Sequence, residues 1–180
     1  RANGIYDVTV HHIPGNLTDH YNPAKKTLGL SDATYNSASV AAIGVAAHEC
    51  GHAIQHAHGY APMSIRAALV PVVNIGSNLS IPLIFLGVLL SWNQTLIQLG
   101  IWAFALTVIF QLVTLPVEFN ASRRAIVKVE EYGLLGNEEV SGGKKVLTAA
   151  ALTYVAGAAS SALQLLRLIL LYGGNRRRRD

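Results

Sequence analysis

Charged residues are scarce in this sequence, and cysteine occurs once in 180 positions. Charged side chains make up 13% of the chain, whereas soluble domains usually carry about 25%. Apolar residues make up 51%, and the mean hydropathy is +0.35. These values indicate a membrane protein. Because Cys50 is the single cysteine, the chain has no internal disulfide and no zinc site built from cysteines.

The net charge of +4 is gathered in short basic clusters beside apolar segments. Clusters of this kind usually determine how a membrane protein is oriented. We expect no nucleic-acid partner, because no aromatic or groove-reading element accompanies them. The clusters are Lys25–Lys26, Arg123–Arg124, Lys144–Lys145 and Arg176–Arg179.

Residues 1–62 form a polar region that leads into one predicted helix. Strand-like runs occupy Tyr6–His12 and Lys26–Leu30, and proline–glycine and asparagine–proline pairs supply turns between them. The helix is predicted over residues 37–59, with Asn36, Ser37 or Ser39 as its capping residue and Gly59 at its end.

Residues 63–117 predict a transmembrane hairpin. Ala67–Leu90 and Thr95–Val117 contain no charged residue, and a span needs about 20 apolar residues to cross a bilayer core. The linker between them is short and uncharged, with a tryptophan suited to the membrane interface. Two buried helices of a soluble core are the alternative, but core helices of this length usually keep a charged face. Pro116 is expected to interrupt the second span.

The remaining chain divides into a charged region, residues 118–145, and an apolar region, residues 146–180. The charged region predicts a soluble helix with a turn at Gly136-Asn137. The apolar region predicts a third span over Val146–Tyr172, followed by a basic tail. The alanine, glycine and serine residues of this span would allow close helix packing in lipid.

Residues 48–58, HECGHAIQHAH, contain the pattern His-Glu-x-x-His. On a helix, His48 and His52 stand one turn apart on one face, so both imidazoles can reach one metal ion. Glu49 then lies where it can act as the catalytic base on the metal-bound water. The surrounding stretch is rich in alanine and free of proline, which suits a helix. We therefore predict one zinc ion per chain.

A catalytic zinc needs a third protein ligand, and three residues compete for that role. Glu118 is preferred, because two membrane crossings return the chain to the side of the histidines. A carboxylate at that place is costly unless it binds a metal or pairs with a neighbouring arginine. His56 lies two turns from His48, which would stretch the site, so we place it in the surroundings of the metal. His58 would point about 240° around the helix from His52.

Hydrolysis usually needs a second group that stabilises the developing oxyanion. His20, Tyr21 and Arg123 are candidates for this role or for supporting the metal ligands, as is His56. Their spacing does not choose among them. The strand-like stretch before the helix could pair with the backbone of an extended peptide.

Several motifs, in the same order and spacing, resemble one family. They are HHIPGNLTDHYNPAKKTLGLS, AAHECGHAIQH and LPVEFNASRRA, with the apolar hairpin between the last two. Together they are similar to the membrane zinc metallopeptidases of the YugP type and, more distantly, to the gluzincin peptidases of the HtpX and Ste24 types. The resemblance extends over Tyr6–Leu171. It implies a zinc endopeptidase with His48, His52 and Glu118 as ligands and Glu49 as base.

The resemblance also implies a fold and a location. We expect a mainly α protein, an integral membrane helical bundle with a small α+β zincin-like catalytic domain that carries the HExxH helix. The implied location is the bacterial cytoplasmic membrane, with a further membrane helix before residue 1. Expected partners are a peptide or membrane-protein substrate, the lipid bilayer and a membrane protein complex. The positive-inside rule favours a cytoplasmic site, although a third crossing would place Arg176–Arg179 on the other side.

One position departs from the HtpX-type pattern, which has an aspartate four residues after the third ligand. Here that position is Ser122, with Asn120 nearby, and either residue could replace the aspartate by forming a hydrogen bond to a metal ligand. The main alternative function is a zinc-stabilised membrane scaffold without proteolytic activity, which would have no need of Glu49. A zinc hydrolase acting on small molecules or lipids is a second alternative. A metal transporter is disfavoured, because the hairpin has no ionisable residue within its spans.

Overall fold

A computed structural model describes residues 1–174, which form three strands and five helices. The chain is mainly helical with one small sheet, in agreement with the mainly α part of the predicted fold class. The zincin-like catalytic domain stays a prediction. The predicted basic tail, Arg176–Arg179, lies outside the described residues. The strands are β1 (Thr9–His12), β2 (His20–Asn22) and β3 (Thr27–Leu30), and the helices are α1 (Asp32–Tyr35), α2 (Val40–Ala57), α3 (Ala61–Leu89), α4 (Gln94–Glu131) and α5 (Asn137–Tyr172).

The chain divides into two compact units. The first contains Arg1–Ser64 and Leu115–Thr153, and the second contains Ile65–Thr114 and the described residues from Tyr154 onward. Helices α4 and α5 each contribute residues to both units.

The sheet of the first unit has the strand order β1-β3-β2. β1 pairs with β3 in parallel and β2 pairs with β3 antiparallel, so that Gly29 is opposite His11 on one side and His20 on the other. The central strand is buried at Leu28 and Leu30. Both outer strands therefore have one unpaired edge within the sheet.

Helix α2 is fixed at both ends and along one face. Its cap is Ser39, whose Oγ accepts a hydrogen bond from the backbone N–H of Ala42 at 3.2 Å. Just beyond its end, Gly59 has a φ of +62°, a conformation that favours glycine. Val40, Ile43 and Ala47 pack against a buried apolar cluster from the end of α4, the following turn and the start of α5, made of Val129, Leu135 and Val140. This packing leaves another face of α2 free to carry the histidines.

The second unit is built from apolar helices that pack through small residues. Ser80 Oγ on α3 donates a hydrogen bond to the backbone oxygen of Gly100 on α4 at 3.0 Å. Ile84, Ile97 and Leu168 belong to its buried core. Helices α3, α4 and α5 are each long and apolar enough to cross a membrane, which agrees with three predicted spans.

Helices α4 and α5 are longer than the sequence predicted. The prediction ended the second span at Val117 and placed a separate helix after it, but α4 continues through Pro116 to Glu131. A proline removes one backbone hydrogen bond from a helix interior, and packing on either side can outweigh that loss. The predicted turn at Gly136-Asn137 also lies slightly too late, because residues 132–136 connect the helices and Asn137 begins α5. The assignment of roles to regions 1–62, 63–117, 118–145 and 146–180 stays a prediction.

The strand predictions were partly wrong as well. The predicted strand Tyr6–His12 is shortened to β1, and Lys26–Leu30 is shortened to β3 because Lys26 has a φ of +51°. β2 was not predicted. Its three residues are too few for an alternating pattern to be visible in the sequence.

Candidate metal centre

His48 and His52 lie one turn apart on α2 with their rings in edge-to-face contact. The ring centroids are 4.7 Å apart and the ring planes are inclined by 84°. Both side chains are largely buried, with 14% of His48 and 9% of His52 exposed. The periodicity of the helix thus places two imidazoles side by side in a protected position.

Glu118 on α4 meets both histidines. Its Oε2 lies 3.2 Å from His48 Nε2 and 3.6 Å from His52 Nε2, and the residue is 2% exposed. The three side chains each offer one ligand atom, and these atoms all lie within 4.8 Å of one another. Among the described residues, this is the one group of three or more such side chains with that property. Two imidazole nitrogens and one carboxylate oxygen are a donor set that fits zinc.

A close approach of α2 to α4 at Gly51 brings the three side chains together. A Cβ atom at Gly51 would lie 2.5 Å from the backbone oxygen of Ala121, closer than real Cβ contacts. Ala121 is fully buried. Gly51 lies between the two histidines on α2, and Ala121 lies one turn after Glu118 on α4. A side chain at Gly51 would therefore separate the histidines from the glutamate.

The Nδ1 atoms of both histidines are hydrogen-bonded on the side away from Glu118. His48 Nδ1 lies 3.1 Å from Ser122 Oγ, and His52 Nδ1 lies 2.9 Å from Gln55 Oε1. Ser122, one of the two residues expected to replace the missing aspartate, thus contacts a histidine directly. Asn120, the other, bonds to Gln55 instead.

Burial and charge shift the pKa of two groups in the centre. Burial raises the pKa of Glu49, and the neighbouring His52 and His48 oppose that shift. For His52, burial lowers the pKa, but the hydrogen bond and negative charge of Glu118 outweigh burial and raise it. Glu49 is 8% exposed. The centre thus contains a buried carboxyl group with an increased proton affinity next to the two histidines.

The other predicted site residues lie outside this cluster. Tyr21 on β2 and His56 on α2 form a pair, with 2.8 Å between the tyrosine oxygen and His56 Nδ1. His20 Nδ1 is 2.9 Å from the backbone oxygen of Thr18. His58 Nδ1 is 2.8 Å from the backbone oxygen of Ile54, at the end of its own helix. The structure therefore brings Glu118 to the histidine pair and does not bring His56 or His58 there.

Arg123 is exposed and lines a cleft of about 390 Å³ between the end of α4 and the start of α5. Ser122, which contacts His48, belongs to the same lining. Phe119 and Leu147 contribute to its apolar surface. Arg123 is thus one position removed from a residue that touches the histidine pair.

Sequence reasoning missed two residues of the centre, Gly51 and Gln55. Gln55 is fully buried and bonds to His52, to the backbone oxygen of Val117 and to Asn120. The only signal in the sequence was an uncharged polar residue one turn after His52 in an apolar helix. Gly51 is important because α4 passes close to it at Ala121. The residues around Gly51 in the sequence do not indicate this contact.

Comparisons with known proteins give one family and one curated relative. Residues 1–173 match the family model described as "Putative neutral zinc metallopeptidase". A curated protein of Bacillus subtilis (strain 168), "Putative membrane protease YugP", is 48% identical over 147 residues. This match covers 82% of the present chain and 65% of that relative's length. No solved structure matches the chain.

Proposed function

This chain belongs to the neutral zinc metallopeptidase family of the YugP type, and from this premise we propose that it is a membrane-embedded zinc endopeptidase. Its substrates are peptide bonds in membrane or membrane-proximal proteins. The observation that carries the proposal is the convergence of His48, His52 and Glu118, whose ligand atoms lie within 4.8 Å of one another. In this proposal α2 is the HExxH helix of a zincin-like domain in the first unit.

His48, His52 and Glu118 would hold the zinc ion. When bound, zinc supplies Lewis acidity, which lowers the pKa of water and polarises a peptide carbonyl. The burial of the three ligands favours this role, because a buried carboxylate needs a cation or hydrogen-bond donors to compensate for lost solvation. Three protein ligands match the number found in catalytic zinc sites, where a further position would be left for water.

Glu49 is the proposed general base. It takes a proton from the attacking water and later delivers that proton to the nitrogen of the leaving amine. Burial raises the pKa of Glu49, and a raised pKa increases the ability of a carboxylate to accept a proton near neutral pH. A zinc site with a purely structural role would have no use for this carboxyl group.

The substrate backbone is proposed to pair with an edge of the sheet. β2 is an outer strand, and its Tyr21 bonds to His56 on the helix that carries the histidines. Addition of an extended peptide to such an edge binds main chain with little selectivity for side chains. Tyr21 and His56 are the proposed supporting or oxyanion-stabilising pair, with His20 and Arg123 as further candidates. We propose a location in the bacterial cytoplasmic membrane, with the site on the cytoplasmic side because basic residues flank the hairpin.

A Glu49→Gln variant tests the proposal. Purified in detergent, it should keep one zinc per chain and lose casein or membrane-protein cleavage by about 10²-fold or more, because general-base catalysis contributes that much. The matched control is Glu138→Gln in the first turn of α5, which should cleave like the wild type. Undiminished cleavage by Glu49→Gln would contradict the assigned role. A wild type that binds zinc but cleaves nothing would favour the membrane scaffold.

A further inference from the structure

Gln55 joins a histidine of the candidate metal centre to the helix that carries Glu118. The residue lies on α2, one turn after His52, and is 0% exposed. Its Oε1 is 2.9 Å from His52 Nδ1. Its Nε2 donates hydrogen bonds to the backbone oxygen of Val117 at 2.8 Å and to Asn120 Oδ1 at 3.0 Å. Val117 directly precedes Glu118 in the chain.

The orientation of the Gln55 amide follows from the chemistry of its partners. The backbone oxygen of Val117 can only accept a hydrogen bond. Arg124 Nε donates to Asn120 Oδ1 at 2.8 Å, and a guanidinium group can only donate. The oxygen of Asn120 therefore faces Gln55 as an acceptor. Since both partners on that side accept, the nitrogen of Gln55 must face them and its oxygen must face His52.

This orientation selects one tautomer of His52. A glutamine oxygen can only accept, so His52 Nδ1 must carry the proton that it donates. In the neutral ring the lone pair is then on Nε2, the atom that faces Glu118 Oε2 at 3.6 Å. That nitrogen is the one available to a metal ion between the two residues.

His48 has no equivalent constraint from its neighbour. Its Nδ1 lies 3.1 Å from Ser122 Oγ, and a hydroxyl group can either donate or accept. The two histidines are therefore supported differently, and the acceptor that selects a tautomer is Gln55.

We propose that Gln55 is a positioning residue that holds His52 as the Nδ1–H tautomer and directs Nε2 towards the metal. Asn120 and Arg124 act through Gln55 by fixing the orientation of its amide. The same amide ties α2 to the backbone beside Glu118, so it sets the spacing of ligands on two helices. This proposal rests on the proposed zinc site formed by His48, His52 and Glu118.

Zinc affinity, measured by competition with a chelator in detergent, tests the proposal without any substrate. Gln55→Met keeps the length of the side chain and removes the acceptor. We expect zinc affinity to fall about 10- to 100-fold, as for the loss of other hydrogen-bond partners of metal ligands. Gln55→Glu keeps an oxygen facing Nδ1 but sets its second oxygen against two acceptors, Val117 O and Asn120 Oδ1. It should therefore also bind zinc more weakly than the wild type, and wild-type affinity in this variant would contradict the role of the amide nitrogen.

Val129→Ala is the control for a general loss of stability. Val129 is buried in the apolar cluster beside α2 and is 1% exposed. The variant should unfold at a lower temperature and keep wild-type zinc affinity in the folded protein. If Val129→Ala loses as much affinity as Gln55→Met, the effect of Gln55 is on stability alone and the proposal is wrong.

Heteronuclear NMR of the imidazoles gives a second test that needs no variant. In the zinc-loaded wild type, His52 should show a protonated Nδ1 and a metal-bound Nε2. Coordination through Nδ1 would overturn the proposal, as would equal zinc affinity in Gln55→Met and wild type. A wild type that binds no zinc would instead contradict the proposed function on which the inference rests.

Discussion

The close approach of α2 and α4 at Gly51 can be tested by adding one methyl group. In Gly51→Ala the new Cβ would lie 2.5 Å from Ala121 O, 3.0 Å from its carbonyl carbon and 3.1 Å from its Cα. These are backbone atoms, so no flexible side chain can move aside. Ordinary van der Waals contact begins at 3.4 Å. The new Cβ atom and Ala121 O would therefore have to move apart by about 0.9 Å, and the two helices with them.

The separation should weaken metal binding more than it weakens the fold. Overpacking of this kind costs about 1–3 kcal/mol, and replacing glycine by alanine within a helix returns roughly 1 kcal/mol. The net loss of folding free energy should therefore be no more than about 2 kcal/mol. Metal ligands, in contrast, tolerate displacements of only about 0.2 Å. If 1–3 kcal/mol is needed to return the ligands to their places, zinc affinity falls roughly 5- to 150-fold.

Chelator competition and thermal unfolding in detergent measure the two effects separately. Gly44→Ala is the matched control on the same helix, because its Cβ would meet Leu147 Cγ at an ordinary distance of 4.0 Å. That variant should keep its zinc affinity and gain stability from the better helix propensity of alanine. Wild-type zinc affinity in Gly51→Ala would refute the argument that this approach sets the spacing of the ligands.

Three further predictions concern the sheet, the proposed catalytic surroundings and the hairpin. Burial raises the pKa of Asp19, but hydrogen bonds donated by Ser31 outweigh burial and lower it. Asp19→Asn should therefore reduce stability at neutral pH. In acid-unfolding curves the difference from wild type should begin to shrink below pH about 3.9, the ordinary pKa of an unfolded aspartate, and should vanish once the pH is below the lowered pKa of the folded state. Tyr21→Phe removes the hydroxyl group that bonds to His56. If this hydroxyl group stabilises the oxyanion, the variant should have a kcat about 10²-fold lower than the wild type. Its zinc content, measured by mass spectrometry, should be unchanged. Gly100→Ala would place a Cβ atom 2.7 Å from the backbone oxygen of Ser80 on α3. The variant should lose about 1–3 kcal/mol of folding free energy and unfold at a lower temperature. An unchanged unfolding temperature would contradict the tight packing of α3 against α4.

The sequence predicted those parts of the molecule that depend on local periodicity. Helix α2 lies within the predicted residues 37–59, and one of the three suggested capping residues, Ser39, caps it. The apolar segments correspond to long helices, because an uncharged run of this length has few other stable structures. The proximity of Glu118 to His48 and His52 was also expected, from the rule that two crossings return the chain to the same side.

The parts that were not predicted depend on contacts between elements. Pro116 was expected to interrupt the second span, but α4 continues through it to Glu131. The local effect of a proline on a helix does not indicate how the neighbouring elements pack. β2 is held by its pairing with β3, and its own three residues carry no strand signal. Gly51 and Gln55 are important because of Ala121 and Val117 on another helix. A single sequence does not identify such neighbours.

The zinc content of wild type and Glu118→Gln tests the central claim most directly. Both proteins would be purified in detergent and analysed for zinc per chain by elemental mass spectrometry, with folding checked by circular dichroism. Glutamine has nearly the same size and shape as glutamate but is a poor zinc ligand. The account predicts one zinc per wild-type chain and little or none in Glu118→Gln. A variant that keeps a full complement of zinc would contradict the assignment of Glu118 and of the three-residue centre.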